Sequence, residues 1–164
     1  MYSSFFSLIE NPFGETPDTR FFFGSDYHLT ALAQLRSHID SGKGFGILTG
    51  EVGTGKTLLS RLLLKDLDGS ANTALILFPR LTGIELLQSI CEELRLELTA
   101  PEISDSRSGD TRSGEPKMKT YVDQLYQFLL TSAEQGRKTV VVIDEAHRLP
   151  LETLETIRLL NNLE

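Results

Sequence analysis

Two stretches of this sequence carry residue types spaced for chemistry on a phosphate. The first, "GEVGTGKT" at residues 50–57, has the pattern G-x-x-x-x-G-K-[ST]. A phosphate cluster needs many donors converging within a few ångströms, and backbone N–H groups converge only where side chains do not block the approach. Gly50, Gly53 and Gly55 permit that approach, and a helix starting just after them directs its positive end at the anion. Lys56 then reaches the β and γ phosphates as a mobile point charge, while the Thr57 hydroxyl is a candidate Mg²⁺ ligand. Glu51, Val52, Thr54 and Leu58 complete the positions assigned to nucleotide binding.

The second stretch is "VVVIDEAH" at residues 140–147. A buried strand ending in Asp places a carboxylate at the C-terminal edge of a sheet, where open α/β sheets bind ligands. Asp144 is then placed to hold the metal through water, and Glu145 to accept a proton from an attacking water. The competing reading is an acidic pair that merely opens a loop; the aliphatic strand ahead of it and the glycine loop upstream favour catalysis.

These groups need elements to position them. The phosphate loop requires a strand before it, and "FGIL" at 45–48 reads as a short buried one. Ser25 is an N-cap candidate for a helix to about residue 41, with Leu29, Leu32, Leu35 and Ile39 as its apolar stripe. A leucine-dense helix follows the loop to Leu67. The continuous apolar runs at 73–78 and 139–143 predict strands buried on both faces. Thr82 and Glu85 have capping-box spacing for a helix to about Leu94. A further helix covers about 118–135, and Pro150 suits the first position of a last one. Strands alternating with helices predict βαβ units and a parallel sheet.

Composition agrees with a single α/β domain: 164 residues, 40% hydrophobic and 24% charged. No apolar run approaches the roughly 18 residues of a membrane span, and the amino terminus lacks the basic and apolar regions of a secretory signal, so a cytoplasmic location is expected. Cys91 has no internal disulfide partner and reads as a small apolar helix residue. The net charge of −7 makes DNA the less favoured partner, since non-specific binding depends on Lys and Arg neutralising phosphates. The nearest approach to a basic cluster, Arg107, Arg112, Lys117 and Lys119, is interleaved with Asp105, Asp110 and Glu115. All of these but Lys119 belong to a polar insertion at 98–118 holding two similar pentapeptides, "SRSGD" and "TRSGE", which reads as a surface loop.

"GEVGTGKT" and "VVVIDEAH", together with the amino-terminal "FFSLIENPFGETPDTRFFFGSDYHLTALAQL", resemble the general secretion pathway protein A family of AAA+ ATPases, related to transposon-encoded ATPases. The resemblance implies a P-loop NTPase three-layer fold with a parallel sheet, an arm at 1–24 and a partial ATPase domain at 25–164. It makes residues 50–57 a Walker A loop and 140–145 a Walker B strand with its catalytic glutamate, Glu145, acting with Lys56. It implies ATP and Mg²⁺ as cofactors, and a segment ahead of the first helix lying against the adenine, with Tyr27 and His28 as candidates there. By its own position His28 reads equally well as a helix-surface histidine. His147 is either a polar group relaying to the glutamate or a residue without a role, and His38 reads as structural. The triple Phe21, Phe22 and Phe23 suits an arm packed on the domain better than a lining for the base.

The same resemblance implies a homo-oligomer in the complete protein, an inner-membrane secretion partner, peptidoglycan as a further partner, and possible anchoring of the whole protein at that membrane. It also places a further strand after residue 164, between the Walker A and Walker B strands and bearing a polar sensor, followed by an arginine finger and a lid. The expectation is therefore a full-length ATPase of which residues 1–164 alone bind ATP weakly and turn it over negligibly. The alternatives are an ATP-dependent switch of the DNA-transposition type and an inactive fragment.

Overall fold

Ser25 is the N-cap of the helix that follows it, and Thr82 caps another in the same way; these local signals set the frame of the chain. The computed structural model describes residues 2–10, 18–77, 80–96 and 118–161. In chain order the helices and strands are α1 (Tyr2–Phe5), α2 (Asp26–Asp40), α3 (Lys56–Leu67), β1 (Ala71–Ile76), α4 (Gly83–Glu93), α5 (Met118–Glu134), β2 (Lys138–Ile143) and α6 (Leu151–Leu160). Short 3₁₀ turns cover Thr19–Phe21 and Ala146–Arg148. The chain divides into two units, Met1–Asp66 and Leu67–Glu164.

In the first unit, α2 stops at Asp40, and Gly42 turns the chain with φ +65°. Arg36 ties this helix to the end of α3, with Nη1 2.6 Å from Asp66 Oδ2 and Nε 3.2 Å from Asp40. These groups are partly exposed, so the tie orients the helices more than it stabilises them. Of the expected stripe on α2, Leu32, Leu35 and Ile39 are half-buried and Leu29 is exposed. The strand expected at 45–48 does not form: residues 45–50 are irregular, with Phe45 and Ile47 exposed by 52% and 85%. A strand exists only through its ladder, and among the described residues of this unit there is no other strand to pair with.

The second unit is built on a parallel pair, β1 beside β2, in register from Ala71 opposite Lys138 to Ile76 opposite Ile143. Asp144 N–H extends the ladder by donating to Ile76 O at 2.9 Å. Parallel strands need a long crossover, and α4 and α5 supply it, α4 packing on β1 and α5 on β2. On α4 the apolar residues fall at helical spacing, so Leu86, Leu87, Ile90 and Cys91 turn inward together, meeting Ile76, Tyr121 and Leu125 in one core. Each large side chain buried there contributes about 1.5 to 3 kcal/mol. The capping box is complete: Thr82 N–H donates to Glu85 Oε2 at 2.7 Å and Glu85 N–H to Thr82 Oγ1 at 3.4 Å. Helix α6 approaches so closely that a Cβ on Gly83 would lie 2.5 Å from Thr156 Oγ1, and the buried Thr153 donates its hydroxyl to Leu81 O at 2.8 Å.

Three sequence expectations shift here. Strand β1 begins two residues before Thr73 and ends at Ile76, with Phe78 outside the described residues. Strand β2 forms, yet Val141 is 37% exposed and the other valines are half-buried, because the helix packed on it within this unit is α5. Pro150 caps α6 rather than occupying its first turn. The insertion at 98–118 and its paired pentapeptides lie outside the described residues except for Met118, the first residue of α5.

Candidate phosphate-binding site

The glycine loop has the backbone its spacing calls for. Gly53 and Gly55 sit at φ +83° and +85°, a region costly for any residue with a Cβ. At Gly50 the constraint is space, since an added Cβ would lie 3.0 Å from Thr54 Oγ1. Between these glycines, Thr54 donates its hydroxyl to Glu51 O at 2.8 Å and closes the turn. Helix α3 opens at Lys56, so the N–H groups of its first turn lie at the end of the loop. The Lys56 ammonium folds over the loop, donating to Gly50 O at 2.9 Å and Glu51 O at 2.7 Å. Thr57 and Leu58 are half-buried in the first turn, and Val52 is fully exposed at the tip. A glycine loop, a helix N-terminus and a cation over it are the elements from which a polyanion seat can be built.

The two residues offered for the adenine side diverge. Tyr27 is 89% exposed. His28 instead joins the loop: its Nε2 lies 3.1 Å from Thr54 O and its Nδ1 2.8 Å from Ser25 Oγ. Phe22 meets the imidazole edge-on, with ring centres 5.8 Å apart. Phe23 is 84% exposed and Phe21 lies under the Arg20 guanidinium, 5.5 Å from ring centre to cation. His38 rests against Gly46, where an added Cβ would lie 3.3 Å from its ring.

At the end of β2, the half-buried Asp144 accepts the backbone N–H of Glu145 at 2.9 Å. Glu145 takes a left-handed conformation, φ 53° and ψ 32°, which costs a residue with a side chain about 1 to 2 kcal/mol. Its carboxylate faces two neighbours, His147 Nδ1 at 3.5 Å and Arg148 Nε at 3.7 Å. His147 therefore touches the glutamate. Arg148 was missed in the sequence, although three-residue spacing in a helical turn is the signal that brings it there.

Gly50 through Leu58 and His28 come together within the first unit, and Asp144 with Glu145 within the second. Among the described residues, no group of three or more His, Cys, Asp and Glu is arranged to hold a metal ion by itself. A hydroxyl from Thr57 and a carboxylate from Asp144 are oxygen donors of the kind Mg²⁺ takes, and that ion ordinarily completes its shell with water and phosphate oxygens. Among the described residues, no helix is long and apolar enough to cross a membrane.

A family model describing an AAA domain matches residues 38–164, and the chain belongs to that family. Its α/β architecture with a parallel strand pair is that of a P-loop NTPase, and the class implies nucleotide binding. Over its whole length the chain is 40% identical to general secretion pathway protein A of Aeromonas hydrophila, of which it spans 27%. It is thus an AAA-type ATPase domain related to a secretion pathway protein. No solved structure matches the chain.

Proposed function

We propose that this chain is the nucleotide-binding part of a protein that hydrolyses ATP with Mg²⁺ to assist assembly of a secretion complex at the inner membrane. The observation that carries the reading is the loop: two glycines at positive φ, with the Lys56 ammonium folded over them, in a chain matched to an AAA domain.

In this reading the loop N–H groups and Lys56 bind the β and γ phosphates, and Thr57 and Asp144 hold Mg²⁺. The ion neutralises charge on the phosphates when bound. Glu145 takes the proton of the attacking water, and Tyr27 lies on the base side. The strained backbone of Glu145 supports a functional reading of the acidic pair.

The 27% share of the secretion relative leaves room for the rest of the machinery in the whole protein. We place there the sensor strand, the arginine finger and the lid, with oligomer formation, peptidoglycan binding and anchoring at the inner membrane. Residues 1–164, an arm at 1–24 ahead of a core at 25–164, then face the cytoplasm, bind ATP weakly and turn it over negligibly.

The test separates binding from turnover in the full-length protein. Lys56→Ala is expected to weaken ATP binding itself, whereas Glu145→Gln keeps binding and loses turnover by about 100-fold or more. Equal loss of binding in both would remove this division of roles. ATP turnover measured with peptidoglycan and, separately, with DNA tells the secretion reading from a transposition-type switch; stimulation by DNA alone would favour the latter.

A further inference from the structure

The His28 ring joins the N-cap of α2 to the middle of the glycine loop, 26 residues away. Thr54 O only accepts, so the hydrogen in this pair is on Nε2. In the neutral ring Nδ1 is then the acceptor, and the Ser25 hydroxyl donates to it across 2.8 Å. The bonds thus run in one direction, from Ser25 through the imidazole to the Thr54 carbonyl.

The peptide that receives them is the one that most needs holding. It connects Thr54 to Gly55, and Gly55, at φ +85°, has no Cβ to resist its rotation. Thr54 is fixed on its N-terminal side by bonds from its N–H and hydroxyl to Glu51 O, at 3.4 and 2.8 Å. Its C-terminal side is held by His28. The chain has no cis peptide bonds among its described residues, and across a trans peptide the C=O and the following N–H point to opposite sides. A Thr54 carbonyl bound to His28 therefore directs the Gly55 N–H away from the ring. The imidazole fits closely: an added Cβ on Gly55 would be 3.6 Å from Nε2, and Phe22 meets the ring edge-on.

We propose that His28 is a positioning residue for the phosphate cradle, which through Thr54 keeps the Gly55 N–H aimed at the bound polyphosphate instead of touching the base. This rests on the reading of residues 50–57 as the nucleotide site. It also gives a function to a residue that lies ahead of the segment matched to the AAA domain.

The test has two arms in the full-length protein. Dissociation constants are measured for ATP and for inorganic tripolyphosphate, both with Mg²⁺, alongside the melting temperature without ligand. His28→Ala is expected to weaken both ligands by about tenfold, the scale of one hydrogen bond, with the melting temperature unchanged. His28→Gln, whose amide N–H also reaches a carbonyl, restores affinity to within about threefold. A loss confined to ATP assigns the ring to the base and overturns the proposal, as does a glutamine variant no better than alanine.

The second arm uses ¹⁵N spectra of the ligand-free protein. The ring is expected as the Nε2–H tautomer, and the Gly55 amide signal shifts in His28→Ala and returns in His28→Gln. An Nδ1–H tautomer, or a Gly55 signal indifferent to His28, overturns the proposal whether or not ATP binds. A correct tautomer in a protein that binds no ATP counts against the nucleotide reading alone.

Discussion

The two units differ in how much apolar surface each buries. Leu67–Glu164 gathers seven buried residues from two helices and a strand into one cluster. Among the described residues of Met1–Asp66, the buried hydrophobic ones are Leu59 and Leu63 on α3, α2 buries none, and aromatic and aliphatic side chains from Phe5 to Val52 are exposed. Yet the glycine loop, with Lys56, lies in this sparsely buried unit. The loop is shaped by hydrogen bonds and glycine backbone, neither of which needs an apolar interior. Precision in this molecule and burial in it come from different sources. The acidic doublet is the converse case: it sits on the end of a strand that the core holds, so its position is inherited from packing.

If that contrast is right, the largest effects on stability come from the second unit. Leu86 is fully buried, and Leu86→Ala should cost about 2 to 5 kcal/mol in denaturant unfolding. Leu35→Ala on the half-buried face of α2 should cost less than about 1.5 kcal/mol. Equal costs would break the comparison, since they would require an apolar interior around α2 comparable to the one around α4.

Next in size is the backbone of the loop. Gly55→Ala meets no clash, as the one nearby atom is 3.6 Å from the added Cβ, but it must adopt φ +85°. The expected cost is about 1 to 2 kcal/mol, arising without any loss of buried surface. Because the strain is local, it should appear as a loss of ATP affinity with little change in the denaturant slope. An unchanged affinity would mean that the glycine serves no conformational purpose.

Cys91 tests the core from a different direction. Burial pushes its thiol up to about 11 from a usual value of 9.0. A raised value means that the folded state favours the protonated thiol, so this contribution is fully present below pH 9.0 and is lost as pH rises toward 11. Cys91→Ala should cost about 1 kcal/mol at neutral pH for the lost sulfur and flatten the alkaline fall in melting temperature. A fall of the same slope in both proteins would assign it to other groups.

What could be read from the sequence follows the range of each constraint. The capping pair Thr82 and Glu85, the Ser25 cap, the end of α3 at Leu67 and the glycines of the loop all depend on residues within a few positions, and each appears where expected. The segment 45–48 was misread because an apolar run resembles a strand whatever its partner, and the partner decides. The His28 link to Thr54 spans 26 positions and leaves no local mark. Neither does the left-handed backbone of Glu145, which a glycine or asparagine there would have signalled. The exposure of Val141 was hidden too, since an aliphatic strand looks alike with one face covered or both.

The smallest effect separates the two units by their N-caps. In α4 the Thr82 hydroxyl and the Glu85 carboxylate satisfy each other's backbone, and the bonds from Thr82 hold the Glu85 carboxyl below its usual range. A lowered value gives stability that is present above about pH 4.5 and lost as pH falls through the folded value. Thr82→Ala should therefore cost about 0.5 to 1 kcal/mol near neutrality and shrink the acid-side fall in melting temperature. In α2 the Ser25 hydroxyl is 3.5 Å from the His28 N–H but 2.8 Å from its ring, so its better bond serves the imidazole. Ser25→Ala should then leave the melting temperature nearly unchanged while lowering ATP affinity a few-fold, by freeing the ring that holds Thr54. Were Ser25→Ala to cost as much stability as Thr82→Ala with affinity intact, the two caps would be equivalent, and the loop would owe its shape to the glycines alone.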